Sequence, residues 1–190
     1  QLCADIPSLA LIYYPLPGYS EGDYEQRMRQ LLVQAQFLNE PDGGAYKYLG
    51  PDDIVAAINA AHVGLCLSEK EGAMRACCEF LLCGIPVVTV PSIGGRARYL
   101  NLGNSRTVPL SKDAVANAVA DLKRLKLDPH DIREDFLAIV AFERRNFLSY
   151  VNAAIEKQFG VKDCVPNFAR FIGASNYTPV VKWREWLRRD

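Results

Sequence analysis

Short apolar runs alternate with amphipathic segments over the first two thirds of the chain, and this alternation predicts strands followed by helices. The predicted strands are 9–14, 45–50, 62–68, 85–90 and 106–110. The predicted helices are 23–39, 51–61, 71–83 and 112–126, the last capped by Ser111. Repeated strand–helix units predict an α/β fold, a Rossmann-like doubly wound parallel sheet with helices on both faces.

The alternation stops after Pro129. Residues 130–158 predict one long helix or a kinked pair, which ends at Phe159-Gly160. We therefore expect an α/β domain over residues 1–128 and a helical C-terminal extension over 129–190, packed on the same domain. The segment KWREWLRR (182–189) has helical spacing; eight residues are few for a membrane-surface helix, which favours packing against protein.

Composition narrows the class of protein further. The 190 residues carry no formal net charge, so no global field attracts nucleic acid or an anionic membrane. The six cysteines form no C-x-x-C pair and no metal-like spacing with the two histidines, which favours core thiols, a reducing compartment and a cytoplasmic location. Because the chain opens on Gln1, we expect a piece of a longer protein.

Ligands of doubly wound sheets lie beyond the carboxyl ends of the strands, and three such ends are conspicuous here: the loops after 62–68 and 85–90, and Gly50-Pro51 after 45–50. In the first, Glu71 is expected to open a helix, with Glu79 about 12 Å further along its axis. A helix start binds phosphate well, and a carboxylate suits two hydroxyl groups. In the second, Gly94 and Gly95 allow close backbone approach to an anion, beside the charge of Arg96.

Each of these residues also has a purely structural interpretation. Glu71 is alternatively a first-turn acid that stabilises a helix dipole, and Glu79 a surface salt-bridge partner of Arg75. Gly94-Gly95 is alternatively a simple turn, and Arg96 a solvated charge. His62 and His130 are interpreted as structural residues.

The order and spacing of these groups resemble a known enzyme family. The run Ser68-Glu-Lys-Glu71-Gly72-x6-Glu79-x4-Gly84-x-Pro86-Val-Val, followed by Gly94-Gly95, resembles the C-terminal half of a family 4 glycosyltransferase with the two-domain GT-B fold. The resemblance covers about residues 9–126. It implies transfer of a sugar from a nucleoside-diphosphate sugar to an acceptor, with retention and with no bound metal or other cofactor.

The resemblance also assigns roles to residues. Glu71 and Glu79 correspond to an E-x7-E motif, with the catalytic Glu71 beside the transferred sugar and Glu79 at the nucleotide ribose. The residues expected around the sugar and diphosphate are Gly72, Ala73, Met74, Arg75, Ala76, Gly94, Gly95 and Arg96. The base is expected near Leu49 and Gly50. The acceptor-binding N-terminal domain is expected upstream of this chain, which alone is expected to be inactive, and polysaccharide biosynthesis is the pathway class implied.

The sequence departs from the family pattern at two places. Ala73-Met74 stands where Phe-Gly is common, and Arg98 stands where an acid often follows the two glycines. A non-catalytic glycosyltransferase-like binding or assembly module is therefore the alternative. A nicotinamide-binding domain is disfavoured, because no G-x-G-x-x-G follows the first predicted strand.

Overall fold

The computed structural model describes residues 3, 6, 8–12, 24–40, 46–72 and 74–165. The strands are β1 (Leu9–Leu11), β2 (Ala35–Phe37), β3 (Gly64–Cys66), β4 (Val87–Thr89) and β5 (Ser105–Thr107). The helices are α1 (Tyr24–Leu31), α2 (Pro51–Asn59), α3 (Arg75–Leu82), α4 (Lys112–Leu125) and α5 (Pro129–Phe159), with a 3-10 turn at Arg96–Tyr99. The predicted KWREWLRR helix lies outside the described residues.

The strands form two parallel sheets. In one, β1 pairs with β2; in the other, the order is β3-β4-β5, with Leu65 opposite Val88 and Val88 opposite Arg106. Parallel strands need a crossover between them, which α3 supplies between β3 and β4. The sequence prediction of a parallel α/β fold with a helical C-terminal segment is confirmed.

Helices cover both faces of the β3-β4-β5 sheet because side chains alternate along each strand. On one face, Gly64 lies so close to α3 that an added Cβ would overlap the ring of Phe80. On the other, Val88 is buried in one cluster with Val115 and Leu122 of α4. The predicted Rossmann-like arrangement, with helices on both faces, is therefore present around these three strands.

The helix that follows β5 begins as its sequence predicts. The Ser111 hydroxyl accepts a hydrogen bond from the Ala114 amide at 3.3 Å, which satisfies one donor of the first turn of α4. The helix α5 is one continuous element of 31 residues. By its internal contacts the chain divides into two compact units, Gln1–Phe136 and Leu137–Asp190.

Two predicted elements are wrong. The helix expected over 23–39 ends at Leu31, and residues 35–37 instead form β2, because pairing with β1 outweighs local helical spacing. The strand expected over 45–50 is absent from residues 46–50. There the Lys47 amide donates to the Asn39 carbonyl at 2.7 Å, which holds this segment against the turn after β2.

Candidate functional site

Two loops leave the carboxyl ends of neighbouring strands and pair with each other. We call them the Glu71 loop (residues 67–72 and 74, after β3) and the Gly94 loop (residues 90–95, after β4). Lys70 and Ile93 form an isolated parallel bridge. The Ile93 amide donates to the Glu69 carbonyl at 2.8 Å, and the Glu71 amide donates to the Ile93 carbonyl at 3.1 Å. Sequence reasoning placed these loops at one sheet edge, and the structure joins them there.

Gly94 allows the closest approach of the two loops. Its φ is +141°, a conformation that residues with a Cβ rarely adopt, and an added Cβ would overlap the carbonyl oxygen of Glu71. The next amide, that of Gly95, donates to the Gly72 carbonyl at 3.0 Å. Gly94 and Gly95 therefore hold the Gly94 loop against the Glu71 loop. Their role is more than that of a simple surface turn.

Glu71 lies in this loop and does not open the helix as expected. The helix α3 begins at Arg75, with Met74 as its N-cap and no acid in its first turn. The Glu71 amide donates instead to the Ile93 carbonyl, next to the Lys70–Ile93 bridge between the two loops. Its side chain is exposed. The helix-dipole interpretation of Glu71 is therefore wrong, and the 12 Å axial spacing to Glu79 does not apply.

Glu79 lies on α3, where its side chain is half-buried. Cys77 and Leu81 on the same helix are fully buried against the protein interior. Among the described ion pairs, none joins Glu79 to Arg75, so the structure does not support the surface salt bridge considered from the sequence. A partly buried carboxylate without such a pair remains able to accept hydrogen bonds from hydroxyl groups.

Arg96 is buried, with 1% of its surface exposed, so its interpretation as a solvated charge is wrong. Its Nη2 donates to the Ser68 carbonyl at 2.9 Å and to the Val90 carbonyl at 3.1 Å. Its Nη1 contacts the Ser68 hydroxyl at 3.2 Å and the Met74 sulfur at 3.0 Å. No local pattern indicated these partners, which lie 6 to 28 positions away along the chain.

The remaining predicted residues fall into two groups. Met74, Arg75 and Ala76 form the start of α3, where the first amides of a helix have no acceptor within it. Ala73 lies outside the described residues. Gly50 precedes α2 as its N-cap, with Leu49 before it, and neither belongs to the two paired loops.

Leu49 lines a different concavity, a cavity of about 560 Å³ in the unit Gln1–Phe136. Residues from the β1 and β2 strands and the alanines of α2 form its walls. Its lining includes Asp53, whose carboxylate accepts a hydrogen bond from the Gly50 amide at 3.4 Å. Glu71 and Glu79 are not among its lining residues.

The cysteines of α3 and β3 behave as interior thiols. Cys66 and Cys77 are fully buried. Hydrogen bonding to Cys77, together with burial, raises the pKa of the Cys66 thiol, so it stays protonated at neutral pH. Burial likewise raises the pKa of Cys78. All six cysteines are free thiols.

Neither a metal site nor a membrane span is found in the part of the chain that the structure describes. It holds no group of three or more His, Cys, Asp or Glu side chains suited to a metal ion. None of its helices is both long enough and apolar enough to span a bilayer.

The fold and the paired loops define an α/β protein whose polar residues gather at the carboxyl edge of a parallel sheet. No protein-family model and no curated protein matches the chain. Among solved structures, the chain is similar to the crystal structure of Anabaena Alr3699/HepE in complex with UDP, with a TM-score of 0.49 and 20% sequence identity. That similarity covers 74% of this chain and 43% of the other, so this chain spans less than half the length of HepE.

Proposed function

We propose that this chain is the donor-binding domain of a retaining glycosyltransferase, which transfers a sugar from a nucleoside-diphosphate sugar to an acceptor. The observation that carries the proposal is the pairing of the Glu71 loop with the Gly94 loop at the carboxyl edge of β3 and β4. This is where α/β sheets bind nucleotides. It presents an exposed carboxylate at Glu71, and a half-buried one, Glu79, lies on the helix that follows.

In this proposal the two carboxylates bind opposite ends of the donor. Glu71 lies beside the transferred sugar, and Glu79 accepts hydrogen bonds from the ribose hydroxyls. The bond between the anomeric carbon of the sugar and the diphosphate oxygen breaks, the acceptor oxygen bonds to that carbon, and the proton of the acceptor hydroxyl passes to the departing diphosphate. Backbone amides at the start of α3 offset the charge that develops on the departing diphosphate. Arg96 supports the loops that carry these groups, since its hydrogen bonds go to protein atoms.

The remaining parts of the proposal follow from the family resemblance. The base lies near Leu49 and Gly50, and binding requires no metal. An N-terminal GT-B domain binds the acceptor and closes the other side of the cleft. The protein acts in the cytoplasm, in polysaccharide biosynthesis.

Donor binding tests this proposal directly. UDP-, GDP- and ADP-sugars are screened by thermal shift, and the Kd of the best donor is measured by calorimetry with and without EDTA. We expect one class of donor to bind, with a Kd that EDTA leaves unchanged. Glu79→Ala should weaken that Kd by about 10- to 100-fold, because hydrogen bonds to a charged group contribute about 1.5–3 kcal/mol.

The matched control is Glu134→Ala, which removes an exposed glutamate from α5. It should leave the Kd unchanged. If no nucleotide sugar stabilises the wild-type chain and Glu79→Ala has no effect, the non-catalytic binding or assembly module becomes the better interpretation.

A further inference from the structure

One buried side chain, that of Arg96, links the two loops of the candidate site. Arg96 begins the 3-10 turn that follows the Gly94 loop. Its guanidinium contacts Ser68, after the end of β3, and Val90, after the end of β4. The planar guanidinium presents donors in a fixed fork, so Arg96 sets the separation of the two strand ends.

Arg96 also reaches Met74, a residue of the Glu71 loop with an unusual backbone conformation. Met74 has a φ of +47° and a ψ of 90°, although positive φ is uncommon for residues with a Cβ. The Met74 sulfur contacts Arg96 Nη1 at 3.0 Å and the Ser68 hydroxyl at 4.0 Å. The side chain of Met74 is therefore anchored where its backbone makes an unusual turn.

That turn decides how the candidate site is assembled. Met74 lies between Glu71, in the loop, and α3, which carries Glu79. The Met74 carbonyl accepts the first helical hydrogen bonds, from Cys77 at 3.0 Å and Cys78 at 3.4 Å. A different φ at Met74 would change the direction in which the Glu71 loop meets α3.

We propose that Arg96 and Met74 form a positioning pair: Arg96 anchors the Met74 side chain, and this anchor keeps the positive-φ turn that orients Glu71 relative to Glu79. The proposal rests on the proposed function for the identity of the ligand. Arg96 is then a positioning residue that does not touch the donor.

The donor count of Arg96 supports this role over direct contact with a diphosphate. The two terminal nitrogens of an arginine carry four N–H groups. Four acceptor contacts to protein atoms are described for these nitrogens. A diphosphate could bind them only by displacing Ser68, Val90 or Met74, which would release the strand ends.

A double-mutant cycle tests whether the two side chains act together. The variants are Arg96→Met, Met74→Gly and the double variant. Glycine adopts positive φ without strain, so the Met74→Gly variant no longer needs the anchor. Arg96→Met should weaken the donor Kd about tenfold or more when Met74 is present, and at most about threefold when it is combined with Met74→Gly.

A second measurement works without any ligand. Hydrogen exchange of the Cys77 amide reports the first turn of α3, because this amide bonds to the Met74 carbonyl. Arg96→Met should accelerate this exchange about tenfold or more, and adding Met74→Gly should restore it toward the wild-type rate. Arg145→Met, which removes an exposed arginine, should change neither exchange nor Kd.

The outcomes separate the two proposals. If the wild type binds no nucleotide sugar but the exchange rates show the coupling, the positioning pair stands and the proposed function fails. If the wild type binds a donor and Arg96→Met changes Kd and exchange equally with and without Met74→Gly, the positioning pair is overturned. If the Arg96→Met variant does not fold, Arg96→Lys replaces it in the same cycle. Lysine keeps the positive charge but lacks the planar guanidinium.

Discussion

The approach of Gly94 to Glu71 shows how single residues shape the candidate site. An added Cβ at Gly94 would overlap the Glu71 carbonyl oxygen, and the φ of Gly94 is +141°. Gly72, in the facing loop, has open space around an added Cβ. Gly72 and Gly94 both belong to the sequence motif, but the packing of the two loops requires glycine only at position 94.

Gly94→Ala should therefore lower the free energy of unfolding by about 1–3 kcal/mol or more, because strained backbone and overlap both act against the folded state. Gly72→Ala is the matched control and should leave stability nearly unchanged. Urea denaturation of the three proteins measures the difference. Equal midpoints for Gly94→Ala and the wild type would contradict this account of the loop contact.

At the level of secondary-structure elements, β5 and α4 are joined by a carboxylate between two arginines. Asp121 on α4 accepts from Arg124 Nη2 at 2.8 Å and from Arg106 Nε, on β5, at 3.1 Å. Hydrogen bonds from Arg124 and Arg106 hold the pKa of Asp121 below its ordinary value of 3.8. The charged carboxylate is thus more stable in the folded state than in the unfolded chain.

The pH dependence of stability should reflect this pKa shift. Because the folded pKa is lowered, the stabilisation is fully present above pH 3.8 and is lost as the pH falls through the folded pKa. Asp121→Asn should be less stable than the wild type at neutral pH, and the difference should shrink in acid. Thermal denaturation from pH 7 to pH 2 measures it, and a difference that is constant with pH would contradict the assignment.

Across the molecule as a whole, the two loops proposed to bind the sugar and diphosphate occupy one edge of the β3-β4-β5 sheet. A single such edge supplies only one wall of a cleft between two domains, which is the architecture that the family resemblance implies. Sugar transfer that requires groups from both walls of the cleft therefore also requires a second domain. The proposal therefore separates donor binding from turnover.

We expect this chain alone to bind the donor and to transfer no sugar above background. Release of nucleoside diphosphate, followed with a coupled assay over a panel of acceptors, measures turnover. A parallel assay on a longer protein that contains an N-terminal GT-B domain is the positive control. Sustained turnover by this chain alone would contradict the assignment of a donor-binding half.

Local sequence signals were sufficient to predict several elements of the fold. The cap at Ser111 and the strand–helix order from α2 to α4 follow from short-range spacing. The meeting of the Glu71 and Gly94 loops also follows, because parallel neighbouring strands end at one edge of a sheet. Apolar periodicity carries this information without any knowledge of the rest of the fold.

The details within the candidate site depend instead on tertiary contacts. Because of these contacts, α3 begins at Arg75 and β2 forms where helical spacing predicted a helix. The same kind of contact buries Arg96 next to the two loops. Each outcome depends on partners distant in sequence: Ile93 for Glu71, β1 for β2, and Ser68 for Arg96. Long-range hydrogen bonds and packing outweigh local propensity at these positions, and no local pattern encodes them.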